Sequence, residues 1–409
     1  MSMKRKNFLK NISLRSVAVI VAACAVIFAA QLLLAAAAGV RKADSPPTSS
    51  PAAFPAGNTS ASPVPAAAAD TQARTEPRPA EYIEAIYSAL KNNSSDVRLR
   101  ALEIIRERPA LFVSVRVKPL LEDKDINVKI QTVRTLVALN DRTGIPYLRS
   151  LAFTSPKLSA APTVSERVKI FTAQNNRIKA IVALGDIKDT VSTERLEAAT
   201  KDGDARVADA AWIALAGMGN KRGAEIFIDG LKNSEKAVRA KSAEVVGDIG
   251  AVAGLAALRE RAGDWDKDVK LNAIRSLGVL RDVESAPRLR EIVVTDKDQS
   301  IRESAVRALG EIRDGSSAAF LKKYISDENI VVRLAVCESL AKMNDYSGKE
   351  FVKALAERAA EKEARYRALR ALSHFSLNAA DENLLREIVL DDDSMTVLEA
   401  VRVLSFKKN

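Results

Sequence analysis

Side chains that could carry out acid–base, nucleophilic or metal chemistry are scarce in this sequence. His374 is the only histidine among 409 residues, so a metal site built from several histidines cannot form. Cys337 falls in the middle of a helical stretch, where we expect a small buried apolar role rather than a nucleophile. The acid run 391–393 indicates a loop followed by a helix cap. We therefore expect no catalytic residues, no metal and no cofactor.

The elements that would position any site are helices of one repeated type. Within residues 298–310, apolar residues recur at helical spacing: Ile301, Ala305, Ala308 and Leu309. Asp298 is placed to cap this helix, and Gly310 is placed to end or loosen it. Small alanines in its centre should let a neighbouring helix approach closely. So short a helix cannot bury its own stripe and needs copies of itself beside it.

Ten copies of this helix can be counted by the residue at its first core position. Successive copies lie 31 or 32 residues apart, except for one interval of 48 residues. The ten positions are Val97, Val128, Asn176, Val207, Val238, Val269, Ile301, Val332, Ala364 and Thr396. We number the units as repeats 1–10 and predict that each contains two antiparallel helices, the second of which carries this position.

These units resemble the short HEAT-like repeats of phycobilisome lyases. The resemblance is carried by motifs such as Val238-Arg239, Val269-Lys270, Ile301-Arg302 and Val332-Arg333, and it covers about residues 81–409. It implies an all-α fold, an α-solenoid of about ten two-helix repeats, but it does not indicate a function. HEAT-repeat deoxyhypusine hydroxylases hold iron through several His-Glu dyads, whereas here His374 is followed by Phe375.

Several local features refine the repeat prediction. Five aspartates lie three residues before a first core position and are predicted N-caps: Asp125, Asp204, Asp266, Asp298 and Asp393. The long interval adds 17 residues beyond the usual period, which we place in an insertion around 151–168. Ala364 and Thr396 replace the branched aliphatic core residue, so repeats 9 and 10 are expected to be end caps.

The N-terminal residues indicate targeting to a membrane. Residues 1–15 contain five basic residues and no acid, and residues 16–40 are uncharged and almost wholly apolar. A helix of that length spans ~37 Å, enough to cross a hydrocarbon core of ~30 Å. The charge bias predicts a cytoplasmic N-terminus with the repeats outside. An uncleaved anchor, a cleaved signal peptide and a lipoprotein signal at Cys24 all remain open.

Composition changes after the apolar segment. Pro, Ala, Ser and Thr dominate residues 41–80, which predicts a disordered linker that holds the repeats away from the membrane. Of the formal net charge of +11, residues 1–42 contribute +7 and the rest of the chain +4. The basic character therefore mostly reflects the targeting segment, and we expect no nucleic-acid partner.

A basic residue follows the first core position in eight repeats. These residues are Arg98, Lys129, Arg177, Arg239, Lys270, Arg302, Arg333 and Arg365. They could form a row that binds a ligand. The favoured interpretation is structural, because acids of adjacent repeats should lie nearby and pair with them.

Two helix positions point away from the core and suggest a binding surface. The third position is large and apolar in seven of ten repeats, and the seventh is arginine in five. Because second helices line the concave face of such solenoids, we predict a groove for an apolar protein segment that carries acidic residues. Its residues are Leu271, Arg275, Arg307, Leu334, Tyr366 and Arg370. The alternative is that neighbouring helices bury the third position.

Together these features predict a non-enzymatic scaffold or adaptor that binds a protein partner. It would be anchored to the membrane on the periplasmic or extracellular side, or secreted if its N-terminal segment is cleaved. The resemblance to bilin lyases implies an alternative, the handling of a chromophore or other prosthetic group. An envelope-binding module, attached to the cell wall, is a further alternative.

Overall fold

The computed structural model describes residues 79–156 and 163–406. The predicted cytoplasmic residues 1–15, the membrane segment 16–40 and nearly all of the linker 41–80 lie outside the described residues. Among the residues that are described, no helix is long and apolar enough to cross a membrane.

Twenty α-helices and short 3-10 turns form the described residues, which contain no strand. They pair into ten two-helix repeats, which confirms the predicted all-α repeat architecture. The first helices are Pro79–Ala89, Ser114–Val117, Ile145–Phe153, Thr193–Ala199, Lys221–Gly230, Leu255–Arg261, Ala286–Thr295, Gly315–Leu321, Lys349–Arg358 and Ala379–Ile388. The second helices are Ser95–Glu107, Ile126–Ala138, Val164–Asp186, Ala205–Gly217, Lys236–Asp248, Lys267–Val279, Gln299–Ile312, Ile330–Lys342, Lys362–Leu372 and Ser394–Ser405.

The second helices begin where their capping residues require. All five predicted aspartate caps accept a hydrogen bond from a backbone N–H of the first helical turn. Asp298, for example, accepts from the N–H groups of Ser300 and Ile301. Downstream, the core residues Ile301, Ala305, Ala308 and Leu309 are buried as predicted. The cap thus sets the start of the helix, and the apolar stripe sets its orientation.

The extra residues of repeat 3 differ from the prediction of a loop-like insertion around 151–168. The first helix of this repeat ends at Phe153, and the second helix begins at Val164 and continues for 23 residues to Asp186. A capping box formed by Thr163 and Glu166 starts this helix early. Part of the insertion therefore lengthens a helix.

Gly310 has a different role from the predicted one. Its helix continues to Ile312, so Gly310 does not end it. A Cβ atom at Gly310 would lie 2.9 Å from the Cα atom of Ser339 in the next second helix. Gly185, Gly247 and Gly278 occupy the same helical position and have equally close contacts with Ala214, Ser276 and Ala308. These glycines allow neighbouring second helices to approach closely.

Repeat 10 packs against repeat 1, so the terminal repeats are not the end caps that we predicted. The last second helix contacts both helices of repeat 1. One hydrophobic core contains Tyr82 and Ile86 near the beginning and Val401 and Leu404 near the end. The described repeats therefore close into a ring. Ala364 and Thr396 lie within this ring rather than at a solvent-exposed terminus.

The close approach of second helices can be tested with two glycine substitutions. In Gly278→Ala the new Cβ would lie 2.8 Å from the Cα of Ala308, so we expect a loss of about 1–3 kcal/mol in unfolding free energy. Gly217→Ala is the control, because it lies in a second helix with nothing within 4 Å of an added Cβ. It should be neutral or stabilising by up to about 1 kcal/mol. Equal urea midpoints for the two variants would contradict the proposed contact.

Candidate functional site

The second helices line the inner face of the ring. The guanidinium of Arg367 in repeat 9 lies 3.4 Å from the carboxylate of Glu303 in repeat 7, reaching across repeat 8. Side chains two repeats apart can meet in this way only on the concave side of a curved stack. The contact places the third position of repeat 7, held by Glu303, on the inner face.

The basic residue after the first core position joins one repeat to the next. Arg239 donates two hydrogen bonds to Asp264 of the following repeat, and both side chains are buried. The same pairing joins Arg98 to Asp123, Arg177 to Asp202, Lys270 to Asp296 and Arg365 to Asp391. The structural interpretation of this row is confirmed for these five residues, which are not free to bind a ligand.

The predicted apolar stripe is only partly available at the inner face. Leu334 is 3% exposed and belongs to the hydrophobic core, so it cannot line a groove. Ile130 and Leu398, at the same position in other repeats, are also buried. Leu271 and Tyr366 remain half-buried. Neighbouring helices thus cover the third position in some repeats and leave it open in others.

The predicted arginines already have partners within the chain. Arg275 pairs with Asp248, Arg370 pairs with Glu399, and Arg307 pairs with Glu303 and Glu338. Each of these pairs but the one with Glu303 joins neighbouring repeats. The arginines therefore do not offer free guanidinium groups, and the basis for predicting acidic residues in a partner is lost.

Glu399 is the most enclosed charge of the inner face. Its side chain is fully buried between Arg370 of repeat 9 and Arg100 of repeat 1. Burial by itself lowers the pKa of Arg100, but the carboxylates of Glu399, Glu103 and Glu107 together outweigh burial and the pKa is raised. Arg402 of repeat 10 likewise pairs with Glu107 of repeat 1 at 2.7 Å. These pairs join the end of the chain to its beginning.

The environments of Cys337, His374 and the acid run 391–393 can be described from the structure. Cys337 is buried, and burial raises the pKa of its thiol to about 11. Burial and the Lys342 ammonium lower the pKa of His374, whose nearest acid is 3.9 Å away. Asp391 pairs with Arg365 in a cleft of about 740 Å³, where Asp393 pairs with Lys362 and caps a helix. In the part of the chain that the structure describes, no three potential ligands are placed to hold a metal.

Two inner-face residues were missed by the sequence analysis. Val182 and Ile213 occupy the seventh position in repeats 3 and 4, and both are half-buried next to the core. The sequence signal is the seventh position itself, which holds arginine in five repeats and a branched apolar residue in these two.

Taken with the fold, these contacts define an all-α repeat protein whose inner surface is apolar in part and otherwise covered by internal ion pairs. A family of HEAT repeats matches residues 193–270, 224–309, 255–341, 286–373 and 317–405, which together make up just over half of the chain. The chain therefore belongs to the HEAT repeat family. HEAT repeat proteins commonly bind protein partners. No curated protein matches the sequence.

The chain is also similar to several solved structures at low sequence identity. Human deoxyhypusine hydroxylase in complex with glycerol is 18% identical over 65% of this chain and 97% of its own, with a TM-score of 0.31. The complex of CpcE and CpcF of phycocyanin lyase from Nostoc sp. is 17% identical over 57% of this chain and 97% of that chain, with a TM-score of 0.36. An engineered protein is 18% identical over 79% and 98%, with a TM-score of 0.32.

The closure of the ring can be tested at Glu399. The change Glu399→Gln keeps the shape of the side chain but removes the buried anion that joins Arg100 to Arg370. Arg100 then keeps only its pairs with Glu103 and Glu107 of its own repeat. We expect a loss of about 3 kcal/mol or more in unfolding free energy, and faster hydrogen exchange in Pro79–Ala89. The control, Glu291→Gln, removes the exposed pair with Arg288 and should cost less than about 1 kcal/mol. Equal losses would show that the closure does not depend on Glu399.

Proposed function

We propose that this protein is a non-enzymatic scaffold that binds a protein partner on the inner face of its ring. The observation that supports this proposal is the set of half-buried apolar side chains on that face: Leu99, Ile178, Val182, Ile213, Leu271 and Tyr366. A partner can cover these side chains and remove their remaining apolar surface from water.

The ion pairs of the inner face support the same proposal. They join neighbouring repeats and hold the second helices at defined distances, so the surface is organised before a partner arrives. A rigid surface loses less conformational entropy on binding than a flexible one. Because the inner arginines are already paired, the partner is recognised by its apolar side chains, and acidic residues are not required of it.

Photocrosslinking from single positions tests the inner-face proposal. A benzoylphenylalanine at position 271 of the full chain, in cells that make the protein, should give one discrete protein adduct. The control position is 226, because Ile226 is an exposed apolar residue on a first helix, outside the inner face. The proposal is wrong if position 271 gives no adduct, or if both positions give the same adducts.

A second change separates binding from folding. Leu271→Asp places a charge on the inner face at a half-buried position, and should abolish the adduct from a crosslinker at position 213. Circular dichroism and the melting temperature measure whether the ring persists. Loss of the adduct with an intact melting transition supports a binding role, whereas an unchanged adduct contradicts it.

We also propose that the ring is held at a membrane, outside the cytoplasm. The support is the basic segment 1–15 followed by the apolar segment 16–40. The full chain should sediment with membranes and resist extraction by carbonate, and protease added to spheroplasts should digest the repeats while cytoplasmic markers survive. Protection of the repeats would contradict the topology, and recovery in the soluble exported fraction would indicate cleavage.

A further inference from the structure

The turns that lead from each second helix to the next first helix form one edge of the ring. These turns carry both acids and bases, which differ in whether they have an ion-pair partner. Acids of the turns pair with a base that lies on the preceding first helix or directly after it: Asp141 with Lys118, Asp189 with Arg149, Asp282 with Arg259, Asp314 with Arg290, and Asp345 with Lys322. The acids of this edge are thus neutralised by cations behind them.

Several bases of the same edge have no acid beside them. We call these four exposed residues the basic rim: Lys188, Lys221, Arg281 and Arg313. Within residues 79–156 and 163–406, none of their side chains makes an ion pair or a hydrogen bond. Lys188, Arg281 and Arg313 lie in three different turns, and Lys221 begins the first helix of repeat 5. The edge therefore has an excess of positive charge that is spread along its length.

The backbone does not account for these bases. Lys188, Arg281 and Arg313 have φ values of 52°, 53° and 58°, the left-handed conformation that often follows the end of a helix. Glycine and asparagine adopt this conformation most readily, and they occupy the equivalent place at Gly219, Gly250, Asn140 and Asn344. A cation does complement the helix C-terminus, but it is not required there.

Apolar side chains are exposed between the bases on the same edge. Val191, Val252 and Val283 are 72%, 66% and 61% exposed, and each lies in a different turn. Tyr346 is exposed in the turn that follows repeat 8. These side chains lie in four different turns, whereas the centre of a protein interface is a contiguous apolar patch. They suit a binding surface that each exposed side chain can contact independently of the others.

We propose that the basic rim docks on an anionic lipid surface. Each unpaired Lys or Arg near such a surface contributes about a fivefold gain in affinity, and the contribution requires no pocket. An extended bilayer can meet cations in several turns at once, because ring closure brings these turns to a common edge. This proposal is independent of partner binding on the inner face, and it explains an edge that the inner-face function does not use.

Position-specific quenching tests the proposal with the full chain. A bimane label is placed at Val283→Cys on the basic rim, or at Ser234→Cys on the opposite edge, in a Cys24→Ser background in which Cys337 is buried. The protein is reconstituted in vesicles that contain a nitroxide-headgroup lipid with either phosphatidylglycerol or phosphatidylcholine. We expect the label at position 283 to be quenched severalfold more with phosphatidylglycerol, and released by high salt.

The matched variants replace three cations by asparagine on one edge or the other. Lys188→Asn with Arg281→Asn and Arg313→Asn should reduce quenching to the phosphatidylcholine level, a loss of about 100-fold in docking affinity. Asparagine suits the left-handed conformation, so helicity and melting temperature should be maintained. The control, Lys124→Asn with Lys232→Asn and Lys297→Asn, removes equal charge from exposed residues of the opposite edge and should leave quenching unchanged.

Four outcomes would overturn the proposal. These are equal quenching with both lipids, equal effects of the two triple variants, quenching at position 234 instead of position 283, and unfolding of the ring by the rim variant. Soluble polyglutamate provides a further test. If it binds the wild-type protein while anionic vesicles give no quenching at position 283, the rim recognises an acidic protein and the lipid proposal is wrong.

Discussion

The pairing of a buried base with an acid of the next repeat is the interaction on which the stack depends. Arg239 shows why it is effective. Its guanidinium bonds the Asp264 carboxylate and two backbone carbonyls, and the same carboxylate accepts the N–H of Asp266 at the start of the next second helix. One side chain therefore connects the beginning of one second helix to the turn before another. Because both partners are buried, removing either would leave an uncompensated charge.

The closure of the ring follows from how closely the second helices approach. At the contact between Gly278 and Ala308 no side chain separates the two backbones. The hydroxyl of Ser276 donates to the carbonyl of Ala243 in the preceding second helix, which holds that pair together at short range. Small residues on the second helices let these helices pack more closely than the first helices do. Because the spacing is smaller on the inner side, the stack curves. Where the curvature completes a turn, Glu399 and Arg100 connect its two ends.

The inner face and the basic rim divide the charges of the protein between two roles. On the inner face the predicted arginines form ion pairs within the chain. Arg307, for example, pairs with the carboxylates of Glu303 and Glu338. On the rim the side chains of Arg281 and Arg313 make no ion pair or hydrogen bond within the described residues. The type of residue is the same in both places, and only the neighbours differ. Proximity to acids of the next repeat decides which arginines stabilise the ring and which face the solvent.

The periodic positions of the apolar residues and the capping aspartates were sufficient to predict the helices. Asp298 and the stripe that follows it act through local rules of capping and spacing, so the start of the helix and its buried side could be read from the sequence. Leu334 is buried and Leu271 is half-buried. The sequence pattern could not predict this difference, because both residues occupy the same helical position. Their burial depends on the side chains that neighbouring helices present.

The sequence by itself determined the repeat, its caps and the row of bases that joins one unit to the next. These features act over a few residues or between adjacent units, and each recurs often enough to be recognised. Only the tertiary structure decided that Thr396 lies within a ring, that Gly310 is a helix contact and that Arg275 is already paired. Closure is the sum of small rotations over ten repeats, and no short stretch of sequence encodes that sum.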